Sequence, residues 1–328
     1  MTAIGVIIPP ELCRQLFLPE DRRALDELGQ VRWWSAAAAP TAEEATEFLQ
    51  GCGVGVGSWG TPHPGSPGLL AGCPDLWAWE HVAGSVKKFF NEHSDGRDLI
   101  IGSCKGAIAD CVAELVVAEV IIGRRRLWAN AQANRQGPTG KPADIGVCFG
   151  ATVGIVGASE VGRRVARLLR PFGCELLLYD PYCAPATAAD LGVEAVDDLI
   201  ELCRRSRVLT VHTPLTPATR QLLRVEHFQA LADDAVLINT SRGPCLDESA
   251  LIAELQRGRL FAFLDVTDPE PAAADSPLRQ LDNVVLTSHI AGPATANMGR
   301  QCLADVRALL TGGEPACRIT RGMLDRIA

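Results

Sequence analysis

Six short apolar segments separated by helical patterns constrain the fold of this chain most strongly. They lie between residues 152 and 287 and read TVGIV, CELLLYD, RVLTVH, AVLINT, FAFLDV and NVVLT. Strands that are apolar throughout are buried on both faces, and helices between successive strands make those strands run parallel. The pattern therefore predicts a doubly wound α/β domain of the Rossmann, nucleotide-binding type.

An earlier alternation predicts a second, smaller α/β domain. Its strands are expected in IGVII, VRWW, GVGVGS, LWAWEHVAG and LIIGS, and Thr41 with Glu44 forms the pattern of a helix capping box. A chain of 328 residues is long enough for two domains, each with its own core. We expect a discontinuous, flavodoxin-like substrate domain, formed by residues 1–104 and 291–328, around a Rossmann domain at residues 105–290. The last helix, ANMGRQCLADVRALLTGG, has no strand predicted after it, so we expect it to return to the first domain.

A long apolar helix, expected from Ala107 to Arg126, leads into a polar connection. Arginines at the carboxyl end of a helix interact favourably with the helix dipole. The GRRRLW cluster is therefore interpreted as a solvated helix end and not as a binding patch. The following ANAQANRQGPTGKPAD segment is rich in polar residues, Gly and Pro, which predicts an exposed arm or loop.

The charge and the residue composition exclude several classes of function. A net charge of -8 gives the chain no general attraction to nucleic acid or to anionic lipid. The amino terminus lacks the pattern of a signal peptide, and acidic residues interrupt the most apolar helix, so we expect a cytoplasmic protein without a membrane span. The six histidines and twelve cysteines are dispersed and form no ligand spacing, so no metal site is expected.

The segment VGIVGASEVG runs from a predicted strand into a glycine turn and a helix. Gly157 permits the bend and Gly162 allows close packing of helix on strand, but Ser159 stands where such turns usually have a second glycine. The helix amino terminus attracts an anion, and the Ser159 hydroxyl could donate to a phosphate. Asp180, at the end of the next strand, can accept from ribose hydroxyls and repel a 2′-phosphate, which favours NAD over NADP. A structural turn followed by an unrelated aspartate is the alternative.

Further segments extend this pattern into a family resemblance. VHTPLTPATRQLL, LINTSRGPCLDESAL, LDVTDPEP and LTSHIAGPA, together with the glycine turn, closely resemble the D-isomer-specific 2-hydroxyacid dehydrogenases. The resemblance covers nearly the whole chain and is strongest from Thr152 to Pro293. It implies an NAD-dependent enzyme that transfers a hydride between nicotinamide and C2 of a D-2-hydroxy acid or 2-oxo acid.

The resemblance assigns the catalytic roles to Arg242, Glu270 and His289. Arg242 would bind the substrate carboxylate and polarise its C2 oxygen, because a guanidinium presents a planar fork of donors. His289 would exchange the proton of the substrate oxygen, since an imidazole suits acid-base work near neutral pH. Glu270 would orient the imidazole and stabilise its charged form.

The resemblance also supplies the binding residues and the oligomeric state. The cofactor residues it implies, with those of the glycine turn, are Gly157, Ser159, Glu160, Val161, Gly162, Asp180, His212, Thr213, Pro214, Thr219, Thr240, Ser241, Asp265, His289 and Gly292. Asp265 is expected to hold the nicotinamide carboxamide. The implied substrate residues are Trp59, Ala83, Gly84, Ser85 and Arg242, with the substrate carboxylate on the main chain of residues 83–85. A homodimer is expected through the nucleotide domain and the segment from Arg124 to Lys141.

Two alternatives remain at this stage. One is an NAD(H)-sensing, corepressor-like protein that uses the same fold without turnover. The other is a different oxidation on the same scaffold, such as that of formate or phosphite. The presence of all three catalytic residue types favours the 2-hydroxyacid enzyme, and the sequence does not specify which acid is the substrate.

Overall fold

The structure is a computed structural model that describes residues 2–140 and 145–327. The chain divides into two compact units. Unit 1 comprises Met1–Ile108 and Pro293–Ala328, and unit 2 comprises Ala109–Gly292. Unit 1 is therefore discontinuous in sequence. Its first segment ends at residue 108, where residue 104 was predicted, and its second begins at residue 293, where residue 291 was predicted.

Unit 1 is built on a six-stranded sheet in the order β13-β5-β4-β3-β1-β2, in which all pairs except β13 with β5 are parallel. The order β2-β1-β3-β4-β5 is that of flavodoxin-like folds, as predicted. The strands are β1 Ala3–Val6, β2 Gln30–Trp33, β3 Val54–Gly57, β4 Ala78–His81, β5 Ile100–Ser103 and β13 Arg318–Ile319. The helices that belong to this unit are α1 Pro10–Leu16, α2 Pro19–Asp26, α3 Ala42–Leu49, α4 Leu69–Gly72 and α12 Ala296–Leu310.

Both faces of this sheet are covered by apolar side chains. On one face Val54 and Ala78 pack with α12, and on the other the fully buried Trp79 packs with α3. A Cβ atom on Gly55 would lie 2.5 Å from the Trp79 ring, so the small residues of β3 make room for the indole. The predicted capping box begins α3, where Thr41 and Glu44 exchange hydrogen bonds.

Unit 2 has a seven-stranded parallel sheet in the order β12-β11-β10-β9-β6-β7-β8. This is the Rossmann order, with the reversal of strand order between β6 and β9, and it confirms the predicted fold class. The strands are β6 Thr152–Val156, β7 Glu175–Tyr179, β8 Glu194–Ala195, β9 Val208–Val211, β10 Val236–Asn239, β11 Phe261–Leu264 and β12 Val284–Leu286. The helices are α5 Lys105–Arg124, which begins in unit 1, α6 Leu127–Gln136, α7 Glu160–Leu169, α8 Pro185–Leu191, α9 Leu199–Arg205, α10 Val225–Ala230 and α11 Glu248–Gln256.

The connection after α5 differs from the prediction in two ways. Leu127–Gln136 is exposed, as expected, but it is helical and not a loop, and Lys141 to Asp144 lie outside the described residues. Arg126 is buried, with its guanidinium 3.8 Å from the centre of the Phe261 ring and bonded to the Asp234 carbonyl. The interpretation of all three arginines as solvated is therefore wrong, because the left-handed backbone of Arg126 turns this side chain inward.

The carboxyl-terminal segment contains a strand that the sequence pattern did not predict. After α12 the two residues of β13 pair antiparallel with β5 at the edge of the unit 1 sheet. Such a short strand has no detectable periodicity, so only pairing with its neighbour defines it. Among the described helices, none combines the length and the apolar character that crossing a membrane requires.

Candidate active site

The predicted site residues of unit 2 follow the carboxyl ends of six strands. Because these strands are parallel, their carboxyl ends meet at one edge of the sheet, where ligands of such folds bind. In sheet order, His289 follows β12, Asp265 follows β11, Arg242 follows β10, Thr213 follows β9, Gly157 follows β6 and Asp180 follows β7.

The glycine turn has the geometry that its glycines predict. Gly157 has a φ of 100°, which favours glycine, and a Cβ on Gly162 would lie 2.0 Å from the Gly157 carbonyl oxygen. Ser159 has a φ of -65° and caps α7, because its Oγ accepts from the Gly162 N–H at 3.3 Å. Serine therefore fits this turn, and its hydroxyl proton remains available for a ligand.

The start of α7 is suited to an anion. The first N–H groups of a helix point out of its amino terminus, and the helix dipole places positive charge there. The Glu160 carboxylate is drawn toward Arg164, 2.6 Å from its Nη1. A pyrophosphate bound at this helix end would meet main-chain donors, as in other Rossmann domains.

Asp180 connects the end of β7 to the glycine turn. Its Oδ2 accepts from the Ala158 N–H at 2.6 Å and its Oδ1 from the Tyr182 N–H at 2.8 Å. Each carboxylate oxygen has a further lone pair, so Asp180 can also accept from ribose hydroxyls. The position of its charge beside the turn opposes a 2′-phosphate.

Two threonine hydroxyls lie buried without a hydrogen-bond partner in the described structure, those of Thr213 and Thr240. Buried hydroxyls are nearly always bonded, so these two point to a polar ligand. Both belong to the predicted cofactor set, and together with the α7 terminus and Asp180 they fit a dinucleotide. Thr219, by contrast, uses its hydroxyl to hold its own loop, through the Pro214 carbonyl at 2.5 Å.

His212 is turned into the protein. Its Nε2 lies 2.9 Å from the Thr210 hydroxyl, and burial lowers the pKa of His212 to about 3. The ring is therefore neutral at physiological pH, and the structure places this predicted cofactor residue as a support beneath the edge of the sheet.

Asn239, the last residue of β10, organises the loop that carries Arg242. Its amide donates to the Arg242 carbonyl at 3.1 Å, and its Oδ1 accepts from both the N–H and the hydroxyl of Ser241. The Arg242 guanidinium donates to the Ser241 carbonyl at 2.6 Å and is partly exposed. Guanidinium donors therefore remain available for a carboxylate.

Asp265 fixes the loop that carries His289. The Asp265 carboxylate is 1% exposed and accepts from the Thr287 hydroxyl, the Ile290 N–H and the Ala291 N–H at 2.6 to 2.9 Å. Its main-chain carbonyl also accepts from the His289 N–H at 2.9 Å. These bonds hold His289 at a φ of 55°, an uncommon backbone conformation for a residue with a side chain.

The structure brings the predicted catalytic histidine and glutamate together. His289 Nδ1 lies 2.5 Å from Glu270 Oε1, and both side chains are partly exposed. With Nδ1–H donating to the carboxylate, Nε2 is left free to exchange a proton with a substrate. This arrangement has the geometry that acid-base catalysis by a histidine requires.

The predicted substrate residues Trp59, Ala83, Gly84 and Ser85 belong to unit 1, after the carboxyl ends of β3 and β4. The Ala83 N–H is already bonded to the His81 carbonyl at 2.7 Å, and Ser103 Oγ donates to the carbonyls of Ala83 and Gly84. The loop is therefore held in shape by its own unit. Trp59 is 42% exposed.

Sequence reasoning missed two residues that hold these loops, Asn239 and Thr287, and it assigned no function to Glu119. Asn239 stands at a strand end beside the family motif, a signal that could have drawn attention to it. Glu119 lies in the middle of the apolar helix α5 and is 5% exposed, so it is a buried carboxyl group in unit 2.

Comparison with known proteins gives the same family for most of the chain. Residues 120–291 match the family model of the D-isomer specific 2-hydroxyacid dehydrogenase, NAD binding domain. A D-3-phosphoglycerate dehydrogenase of Methanocaldococcus jannaschii is 30% identical over 81% of this chain and 50% of its own length. A glyoxylate reductase of Thermofilum pendens is 30% identical over 70% of each chain.

Solved structures support the fold. The apo form of D-mandelate dehydrogenase from Rhodotorula graminis superposes with a TM-score of 0.80 over 98% of each chain, at 21% identity. The chain spans about half the length of the first curated relatives that it matches.

We expect Asp265→Asn to loosen the loop that carries His289. Asparagine has one acceptor oxygen where aspartate has two, and its NH2 group would face one of the donors of Ile290, Ala291 or Thr287. One buried polar group would then have no hydrogen-bond partner, at a cost of about 1–3 kcal/mol. Hydrogen exchange should become faster at the amides of residues 289–291. Asp282→Asn, at an exposed aspartate of the same unit, is the control. Equal protection of the loop in both variants would contradict this role of Asp265.

Proposed function

Because the chain belongs to the D-isomer-specific 2-hydroxyacid dehydrogenase family, we propose that it is an NAD-dependent oxidoreductase acting on a D-2-hydroxy acid or the corresponding 2-oxo acid. The observation that carries the proposal is the contact of His289 with Glu270 on the loops that follow β12 and β11. The relatives compared above are named as dehydrogenases and reductases, which gives the sensor alternative no support.

The proposed roles follow from the chemistry of the side chains. The nicotinamide supplies the hydride for reduction and accepts it in oxidation. Arg242 binds the substrate carboxylate and stabilises negative charge on the C2 oxygen. His289 Nε2 donates a proton to that oxygen during reduction and removes it during oxidation, and Glu270 holds the ring in the required tautomer. Residues 83–85 of unit 1 are proposed to bind the substrate carboxylate as well.

For the cofactor site we propose the residues that the sequence predicted. They include the amino terminus of α7, Asp180, and the buried hydroxyls of Thr213 and Thr240. Gly292, Ser241 and Pro214 are proposed to line the same cleft. We further propose that the protein acts in the cytoplasm on a small soluble acid, without nucleic acid or membrane partners, and that it forms a homodimer through unit 2. The exposed helix α6, in which no residue is buried, supports the choice of surface.

His289→Ala should remove most turnover and leave NAD binding nearly unchanged, because it deletes the proton donor without deleting a predicted phosphate contact. A panel of 2-oxo acids with NADH, followed at the nicotinamide absorbance, measures turnover, and calorimetry measures binding. His93→Ala, at an exposed histidine of unit 1, is the control. If the wild type turns over none of the acids, the proposed activity is wrong.

Asp180→Ala should narrow the preference for NAD over NADP, since it removes the carboxylate that opposes a 2′-phosphate. The predicted change is in the ratio of the two dissociation constants, measured by nicotinamide fluorescence. Because Asp180 also accepts from Ala158, both affinities are expected to fall somewhat. Tighter binding of NADPH than of NADH by the wild type would contradict this role of Asp180.

The homodimer is tested by light scattering across micromolar concentrations, where a mass near twice the chain mass of 35.0 kDa is expected. Trp128→Glu, which places a charge on the exposed part of α6, should shift the protein toward the monomer. Leu168→Glu, on a half-exposed leucine of α7, is the control. A monomeric wild type would contradict the proposal.

A further inference from the structure

Glu119 is a buried carboxyl group for which neither the fold nor the proposed mechanism accounts. It lies in α5, is 5% exposed, and its Oε2 has no hydrogen-bond partner in the described part of the chain. A buried charged group without a partner is costly, so carboxyl groups in such positions are usually protonated or face a ligand. In unit 2, the other buried side-chain atoms without a partner are those of Thr213, Thr240 and Ser276, and the two threonines belong to the proposed cofactor site.

The face of α5 that carries Glu119 packs on β11, because a Cβ on Gly123, one helical turn after Glu119, would lie 3.1 Å from the Phe263 side chain. Asp265 directly follows β11, and its charge acts on Glu119. The Asp265 carboxylate is saturated by the three donors of the His289 loop, and neither carboxyl group has an ion-pair partner within residues 2–140 and 145–327. Burial, together with the charge of Asp265, raises the pKa of Glu119 to about 8. Two buried carboxyl groups whose charges interact favour keeping a proton on one of them, and the hydrogen bonds to Asp265 make Glu119 that one.

The other charged groups of α5 are engaged elsewhere, exposed or distant from Glu119. Asp110 pairs with Arg164, Arg124 donates to the Val147 carbonyl, and Glu114 is exposed. Lys105 begins the helix, about 21 Å along its axis from Glu119. From the strands beneath the helix, Asp265 is the group whose charge acts on Glu119. The protonation of Glu119 is therefore coupled to the charge of Asp265.

We propose that Glu119 distinguishes the oxidised from the reduced cofactor, because it loses its proton when NAD⁺ binds and keeps it when NADH binds. The inference rests on the proposed function, in which Asp265 holds the nicotinamide carboxamide. The ring of NAD⁺ carries a positive charge and that of NADH does not. A cation bound beside Asp265 favours the ionised form of Glu119, whereas a neutral ring leaves its proton in place.

The direction of the pH dependence follows from linkage. NAD⁺ favours the deprotonated form of Glu119, so its binding releases a proton and becomes tighter as the pH rises toward 8. Lowering the pKa of Glu119 by about one unit on binding corresponds to a change in affinity of about tenfold at most. NADH binding should release no proton from Glu119. Free protein and the NADH complex therefore keep this site neutral at neutral pH.

The experiment is calorimetry of NAD⁺ and NADH binding at about pH 7.5 in buffers of different ionisation enthalpy, which counts the protons released. We expect about half a proton more per NAD⁺ from the wild type than from Glu119→Gln, and no such difference for NADH. The NAD⁺ dissociation constant of the wild type should fall about fivefold more than that of the variant between about pH 6.5 and 8.5. The comparison with the variant is decisive, because the His289–Glu270 pair can also exchange a proton.

Glu114→Gln, on the exposed face of the same helix, is the matched control and should behave as the wild type does. If the wild type binds dinucleotide and releases the same number of protons as Glu119→Gln, the inference is wrong and the proposed function stands. If the wild type binds no dinucleotide, both are wrong. Should Glu119→Gln not fold, Glu119→Leu removes the same proton with a side chain of similar size.

A measurement without cofactor tests the protonation itself. A carboxyl group whose pKa is raised by folding binds its proton more tightly in the folded state, so it costs stability as the pH rises from the ordinary carboxyl range through about 8. The urea midpoint of the wild type should therefore fall, relative to that of Glu119→Gln, between about pH 5 and 8. Parallel pH profiles for the two proteins would overturn the proposal.

Discussion

The parallel pairing of the unit 2 strands is the constraint on which the site depends. Main-chain hydrogen bonds hold the seven strands in one direction, and so the loops that carry Gly157, Asp180, Arg242, Asp265 and His289 all leave the same edge. The sheet itself therefore brings these residues to one edge. The predicted site residues are concentrated at that edge because the strand order reverses between β6 and β9 and the amino terminus of α7 follows β6 there.

On this framework, a few buried polar residues determine the precision of the loops. Asn239 holds the arginine loop and Asp265 the histidine loop, each by three side-chain hydrogen bonds. A buried carboxylate needs such donors, and Asp265 has three of them. Glu119 introduces a second carboxyl group into that environment. The carboxylate that positions the His289 loop is thereby coupled to the protonation state of Glu119.

Sequence reasoning succeeded where a pattern is set by local or periodic rules. Apolar strands of four to five residues between helices indicated both sheets, and the Thr41 capping box has the predicted bonds. It failed where distant contacts decide the conformation. Arg126 is buried because Phe261 and the Asp234 carbonyl receive its guanidinium. The polar composition of residues 129–144 predicted an exposed arm or loop, and the part up to Gln136 is an exposed helix.

The sequence by itself determined the fold class, the family and the residue types of the site, since these follow from periodicity and from motifs that are continuous in the chain. Only the tertiary structure decided how they act. That His289 meets Glu270, that Ser159 caps a helix, and that His212 faces inward depend on backbone dihedrals and on contacts between segments far apart in sequence. Glu119 is the clearest case, because an isolated glutamate in a helix is ordinary until the fold buries it beside Asp265.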